Sequence, residues 1–134
     1  MPYDSVPRGR WTLTKSSTVD PEGASFVWAD GRRAALGLHL ERSRPRRLEL
    51  ELWPFQVAGR RQEVAVRLNG SLLGRRPLEG GRQVVELAVP GERWRTGENL
   101  LVFDFAYAVA PAAVDPSSGD RRSLAVAFDR LSLR

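Results

Sequence analysis

Alternation of apolar and polar residues is the feature that most constrains this chain, and it runs through much of the segment 46–107. A period of two places successive side chains on opposite faces of an extended strand. Three apolar rows follow this period, and they comprise Leu48, Leu50 and Leu52, then Val64, Val66 and Leu68, then Val85, Leu87 and Val89. The pattern predicts β-strands whose apolar faces pack against one another.

Turn residues divide the chain between these strands. Asn69-Gly70 predicts a type I′ hairpin turn, because both central positions of that turn need positive φ. Asp30-Gly31 predicts a second hairpin, between a strand at 25–29 and the next strand at 33–41. Segment 16–23 is polar and is predicted to be a loop.

The remaining strands are predicted from composition and phase. Segment 11–14 alternates like a strand, and 92–95 predicts a single helical turn. Segment 100–107 is apolar at nearly every position, which predicts a central strand covered on both faces, or one whose second face is covered by a loop. Leu131 and Leu133 are out of phase with the preceding apolar row, which predicts a β-bulge near Asp129. About eight or nine strands without a long helix indicate an all-β, antiparallel sandwich or barrel.

The 134 residues have the length of one domain. We expect a flexible N-terminal tail at 1–9 and a single β-sandwich domain at 10–134. No apolar run approaches the roughly 20 residues that cross a bilayer, and the N-terminus has no apolar signal core, so we expect no membrane span. The location is unknown from the sequence, and we expect a cytoplasmic protein unless the chain is part of a larger exported one.

Several kinds of site lack the residues they need. The chain has no cysteine, which excludes disulfides, thiolate metal sites and a cysteine nucleophile. Its only histidine, His39, excludes multi-histidine metal sites and is in phase for an exposed strand position. The net charge is +5, but arginine pairs lie at turns and glutamates alternate with them on strands, so we expect no nucleic-acid partner.

An enzyme is the first alternative, and the sequence offers little for it. Glu49 and Glu51 share one strand face, but alternation places that face in solvent, and no Gly-x-Ser-x-Gly elbow or phosphate loop is present. We therefore expect no catalytic residues and no cofactor. A calcium ion held by Asp115, Asp120 and backbone carbonyls stays open, although no acidic loop has the spacing of a calcium site.

Three motifs resemble those of a known family. They are Asn69-Gly70 between two strands with Gly74 after them, Gly97-Glu98-Asn99 before an apolar strand, and Asp120-Arg121-Arg122-Ser123-Leu124 at the last strand. Together they are similar to galactose-binding-like jelly-roll domains, which include the sugar-binding modules attached to glycoside hydrolases. The resemblance covers roughly 46–134. It implies a jelly-roll sandwich that acts as a non-catalytic carbohydrate-binding or accessory module of a bacterial polysaccharide-related protein, with a glycan as partner.

A sugar has an apolar ring face and a rim of hydroxyls, so aromatic and hydrogen-bonding side chains are the candidate ligands. The predicted binding residues are Trp28, Trp53, Trp94, Arg32, Arg33, Asp120 and Arg122. Trp53 is in phase with the outward glutamates and is the better platform, whereas Trp28 also suits the core. For Asp120 and Arg122 an ion pair that pins the last strand is the favoured interpretation.

The second alternative is a structural or protein-interaction sandwich that mediates docking of another domain or subunit. Segments 100–107 and 107–114 carry the apolar residues that such docking needs. Exposure distinguishes the two functions, because sugar binding predicts exposed tryptophans at a concave face or loop end.

Overall fold

The computed structural model describes the backbone of Asp4–Val6, Ser17–Val19 and Val27–Asp30, and residues 31–134 with their side chains. None of the helices in this part of the chain has the length and apolar character needed to cross a membrane. The described strands are β1 (Asp4–Val6), β2 (Ser17–Val19), β3 (Val27–Asp30), β4 (Arg33–Leu40), β5 (Arg46–Pro54), β6 (Glu63–Leu68), β7 (Ser71–Pro77), β8 (Gln83–Val89), β9 (Gly97–Phe105) and β10 (Leu124–Leu133). A 3-10 turn spans Gly91–Arg93, and one short helix, α1, spans Pro111–Val114.

The strands form two antiparallel sheets. The first, sheet A, has the order β2-β3-β10-β5-β8, with β1 also paired to β10. The second, sheet B, has the order β4-β9-β6-β7. This all-β arrangement confirms the predicted antiparallel jelly-roll sandwich, which buries one apolar face of each sheet against the other.

The core lies between the two sheets and is built from the alternating rows. Leu48, Leu50 and Leu52 are fully buried in sheet A, and the rows of β6 and β8 also point inward as predicted. Phe103 of sheet B packs against Phe128 of sheet A with ring centroids 5.0 Å apart. Burying a side chain of this size stabilises the fold by about 1.5–3 kcal/mol, so these contacts hold the sheets together.

The two glycine turns have different outcomes. Asn69 and Gly70 have φ of 50° and 89°, which confirms the type I′ turn between β6 and β7. The predicted hairpin at Asp30-Gly31 is wrong, because β3 lies in sheet A and β4 in sheet B. Gly31 does have a positive φ of 113°, but its turn carries the chain from one sheet to the other. Local turn chemistry predicts a reversal and does not say which strands pair.

Two features of the last strands were predicted with different success. The bulge is confirmed, since the register of β10 against β5 shifts between Phe128 and Arg130. Strand β9 is central, between β4 and β6, but the expectation that both its faces are covered is wrong. Leu101 and Phe103 point into the core, while Leu100 on the opposite face is 47% exposed. Leu100 thus faces solvent, although the apolar residues around it in the sequence predict that it is buried.

The first 30 residues differ from the expectation where they are described. Strand β1 lies within the predicted tail and pairs with the end of β10, and β2 lies within the predicted 16–23 loop. The predicted strand at 25–29 corresponds to β3, which is Val27–Asp30. The predicted strand at 11–14, and the side chain of Trp28, lie outside the described residues. The predicted helical turn at 92–95 corresponds to the 3-10 turn Gly91–Arg93.

Candidate functional site

A row of side chains crosses the outer face of sheet B. Arg33 of β4 is paired with Asp104 of β9, Asp104 is paired with Ala65 of β6, and Ala65 is paired with Arg75 of β7. Arg33, Ala65 and Asp104 face away from the core, because their neighbours in each strand alternate with them and fill the sandwich. Arg75 shares their face through its pairing with Ala65. Four strands that are distant in sequence therefore place two arginines and one carboxylate along a single line.

Asp104 is the centre of this row. Its carboxylate accepts a hydrogen bond from Nε of Arg33 at 2.6 Å, and Nε of Arg67 lies 3.5 Å from its other oxygen. Arg67 reaches Asp104 diagonally, from the position two residues after Ala65, as long side chains do across neighbouring strands. The hydrogen bond to Asp104, with their Coulombic attraction, raises the pKa of Arg33 above its already high usual value, so Arg33 stays cationic.

These residues line an open pocket of about 430 Å³, called here the arginine pocket, and its lining residues are Arg32, Arg33, Ala65, Arg67, Arg75, Asp104 and Phe105. Ala65 is only 3% exposed although it lies outside the core cluster. Its small side chain lies in the middle of the row, between long charged neighbours, and so forms a floor. The pocket exists because a small residue stands where a long one would fill the space.

The two remaining arginines of the pocket are held from its edges. Nε of Arg32 donates to the carbonyl oxygen of Phe105 at 3.5 Å, and Nη1 of Arg75 lies 3.5 Å from the carboxylate of Glu63. These are long, weak contacts. The side chain of Arg75 is 58% exposed, so its guanidinium is accessible to a ligand.

An apolar strip continues from the pocket along the same face. Val102 is paired with Ala35 on one side and with Arg67 on the other, and Arg67 is paired with Leu72. Leu72 is 41% exposed and Leu100, two residues before Val102, is 47% exposed. The outer face of sheet B thus combines a charged pocket with adjacent aliphatic surface.

The predicted residues Arg32 and Arg33 both line this pocket, whereas Arg67, Arg75 and Asp104 were not predicted. The alternation already placed Arg67 on an outward position of its strand, whereas segment 100–107 was expected to be covered on both faces and gave no outward position for Asp104. Their convergence depends on the order and register of four strands. No pattern within a single strand could have indicated it.

Trp53 lies elsewhere, on the outer face of sheet A, and is partly exposed. The guanidinium of Arg82 stands over its ring, 4.8 Å from the centroid. Arg82 also binds Glu51 at 2.7 Å and the buried carboxylate of Asp129 at 2.9 Å. Trp53 therefore stacks on a fixed cation, which covers one face of the ring that a sugar would need.

Trp94, Asp120 and Arg122 are not among the residues that line the arginine pocket. Trp94 is 3% exposed and belongs to the core cluster, so it presents no ring face to solvent. Arg122 binds both carboxylate oxygens of Asp120, at 3.0 and 2.7 Å, and the backbone N–H of Arg122 donates to the same carboxylate. The favoured ion pair before β10 is thus present. The backbone of Trp28 lies in β3, paired with Ala127.

The titratable groups on the described surface form no larger constellation. Nδ1 of His39 lies 2.9 Å from the carboxylate of Glu98, both exposed at the far end of the outer face of sheet B. Within the described residues there is no group of three His, Cys, Asp or Glu side chains placed to hold a metal ion. The hydrogen bonds to Ser117 lower the pKa of Asp115, which is exposed in the loop after α1.

Comparison with solved structures identifies the fold, while no family model and no curated protein matches the sequence. The chain superposes on a CBM36 domain of a multidomain xylanase from the hindgut metagenome of Trinervitermes trinervoides, with a TM-score of 0.60 and 11% identity over 98% of this chain and 96% of the other. A family 35 carbohydrate-binding module from Clostridium thermocellum gives 0.61 and 8% over 98% and 96%. The CBM35 of Cellvibrio japonicus Abf62 gives 0.59 and 12% over 98% and 92%. At this identity the likeness establishes the fold, and it confirms the resemblance at that level.

Proposed function

We propose that this chain is a non-catalytic carbohydrate-binding or accessory module of a bacterial polysaccharide-related protein. The observation that carries the proposal is the arginine pocket, where side chains of four strands converge beside aliphatic surface on one face of the sandwich. The three structures with the same fold are those of carbohydrate-binding modules, and this supports the proposal. The pocket supplies what the fold alone does not, a place with the chemistry to bind a glycan.

The chemistry of the pocket suits a sugar. The guanidinium groups of Arg33 and Arg67 can donate hydrogen bonds to sugar hydroxyls, and the carboxylate of Asp104 can accept hydrogen bonds from them. A hydroxyl therefore finds a partner whether it acts as an acceptor or as a donor. The aliphatic side chains of Leu72 and Leu100 offer an apolar surface to the C–H face of a ring. Arrangements of this kind, with few polar groups on an apolar surface, fix the orientation of a small ligand.

A glycan array probed with the purified protein tests the proposal. We expect binding to a related group of glycans, and a loss of roughly tenfold in affinity for R67Q, since a hydrogen bond to or from a charged group contributes about 1.5–3 kcal/mol. R121Q is the matched control, because it removes the same charge from an exposed arginine outside the pocket. Absence of binding to every glycan, or equal losses in both variants, would overturn the proposal.

A docking or oligomerisation module is the alternative, and the exposure of Leu72 and Leu100 on sheet B favours it. An exposed aliphatic strip also suits a flat partner surface. Sedimentation of the wild type and of L100S distinguishes the two functions. Self-association that L100S abolishes, in a protein that binds no glycan, would establish the alternative, whereas a monomer that binds glycan excludes self-association as the role of this strip.

A further inference from the structure

We propose that the arginine pocket recognises an anionic group of its glycan, either the carboxylate of a sugar acid or a sulfate ester. This inference rests on the proposed function and specifies its ligand class. The pocket is lined by four arginines and one aspartate, that is, four positive charges and one negative, a net of +3. A neutral sugar uses none of this excess charge, while an anion neutralises part of it.

Several arginines elsewhere on the described surface are matched with carboxylates, whereas a single carboxylate lines the pocket beside its four arginines. Arg82 binds two carboxylates, and one-to-one pairs join Arg61 to Glu79, Arg122 to Asp120 and Arg134 to Glu49. In the pocket, Asp104 is shared by Arg33 and Arg67, while Arg75 has only its distant contact with Glu63. A cation that shares its counter-ion has charge and donors left for a ligand.

The donors are also positioned before the ligand arrives. Arg33 and Arg67 each use Nε towards Asp104, which leaves the Nη groups of both side chains for another acceptor. Their side chains are 69% and 37% exposed, so these donors are accessible. Asp104 therefore acts as a positioning residue that orients the guanidinium groups of Arg33 and Arg67. Planar guanidinium groups bind carboxylate and sulfate oxygens bidentately.

Asp104 also makes the proposal testable by the sign of an effect. Asparagine keeps the size and one of the two acceptor oxygens, which can still hold Arg33, but removes the negative charge that lies beside the proposed anion site. If the ligand is anionic, D104N removes a repulsion and binding becomes roughly three- to tenfold tighter. If the ligand is neutral, a carboxylate that accepts hydroxyl hydrogen bonds is lost, and binding becomes weaker.

The experiment measures binding of the whole chain to soluble polysaccharides by affinity electrophoresis and titration calorimetry, at low and moderate salt. Polygalacturonate supplies carboxylates, dextran sulfate supplies sulfate esters, and unmodified dextran and galactomannan are neutral. The variants are R33Q, R67Q and D104N, with R121Q as the control of equal charge. Circular dichroism of each variant establishes that it is folded, which is expected because these side chains lie on the surface.

We expect binding to polygalacturonate, to dextran sulfate or to both, weakened roughly tenfold in R33Q and R67Q, strengthened in D104N, and changed less than twofold in R121Q. The polymer that binds identifies the anionic group. Binding to neutral polymers only, or weaker binding in D104N, would overturn the anionic ligand and leave the proposed function intact. Equal losses of affinity in R121Q and R67Q would show diffuse attraction of the polymer to a basic protein, which also overturns the proposal that the pocket binds the ligand. Failure to bind any polymer and any arrayed glycan would remove both proposals.

Discussion

Replacement of Gln62 by leucine should destabilise this protein, because the side-chain amide of Gln62 is buried and fully hydrogen-bonded. Gln62 lies just before β6 and is 2% exposed. Its Nε2 donates to the carbonyl oxygens of Tyr107 at 2.9 Å and Ala125 at 3.4 Å, and its Oε1 accepts from the N–H groups of Ala106 at 2.9 Å and Tyr107 at 3.3 Å. One amide thus joins the segment after β9 of sheet B to β10 of sheet A.

The magnitude follows from the groups that Q62L leaves without this partner. The N–H and carbonyl of Tyr107 are both buried, and each buried polar group left unsatisfied costs about 1–3 kcal/mol. Ala106 and Ala125 lose less, because the N–H of Ala106 also bonds Glu63 and the carbonyl of Ala125 also accepts from Phe55. Leucine returns roughly 1 kcal/mol through its extra apolar surface. The expected net loss in the free energy of unfolding is about 1–5 kcal/mol.

Urea denaturation followed by tryptophan fluorescence measures this loss, with the midpoint and slope compared at constant temperature. Q56L is the matched control, because Gln56 is exposed in the neighbouring loop, and a change within about 0.5 kcal/mol is expected there. A loss in Q62L no larger than that in Q56L would refute the reasoning, since it would mean that water satisfies the groups that the amide contacts.

Two further predictions concern the core and the ion pair of Asp120 with Arg122 before β10. In W94F the free energy of unfolding should change by less than about 1.5 kcal/mol, because the buried Nε1–H of Trp94 donates no hydrogen bond that would be lost. W94A should cost about 3–5 kcal/mol through the cavity it leaves. Thermal denaturation of both variants checks this. Hydrogen bonds from Arg122 lower the pKa of Asp120, so the stabilisation they give is present above the usual carboxyl value of 3.8 and is lost as the pH falls through the lower folded-state value. The melting temperatures of wild type and D120N should therefore converge in acid, and a difference that persists at the lowest pH would exclude the ion pair as its source.

Much of the sandwich could be predicted because its signals are local. Leu48, Leu50 and Leu52 alternate with charged residues, and a strand with that pattern has one stable orientation, with the leucines inside. Asn69-Gly70 adopts positive φ for reasons contained in the two residues themselves. The bulge in β10 appears in the sequence as a change of phase. In each case the information lies within a few neighbouring residues.

Pairing and convergence were decided by the tertiary structure. Asp30-Gly31 predicts a hairpin but joins two sheets, because turn residues specify a reversal and carry no information about which sheet receives the next strand. Trp94 was proposed as a sugar platform and lies in the core, since a loop residue can fold back over the end of a sandwich. The side chains of Arg33, Asp104 and Arg67 meet only when β4, β9 and β6 are adjacent in one register.

The sequence by itself therefore determined which residues face inward in the strands that alternate, such as β5, β6 and β8, because that alternation is a property of a single strand. It also determined the charge of the strand surfaces and excluded thiolate and multi-histidine chemistry. Only the tertiary structure decided where charges accumulate, because contacts between residues as far apart as Arg33 and Asp104 depend on strand order. Local patterns predict the fold, whereas the candidate site depends on long-range strand pairing that no local pattern encodes.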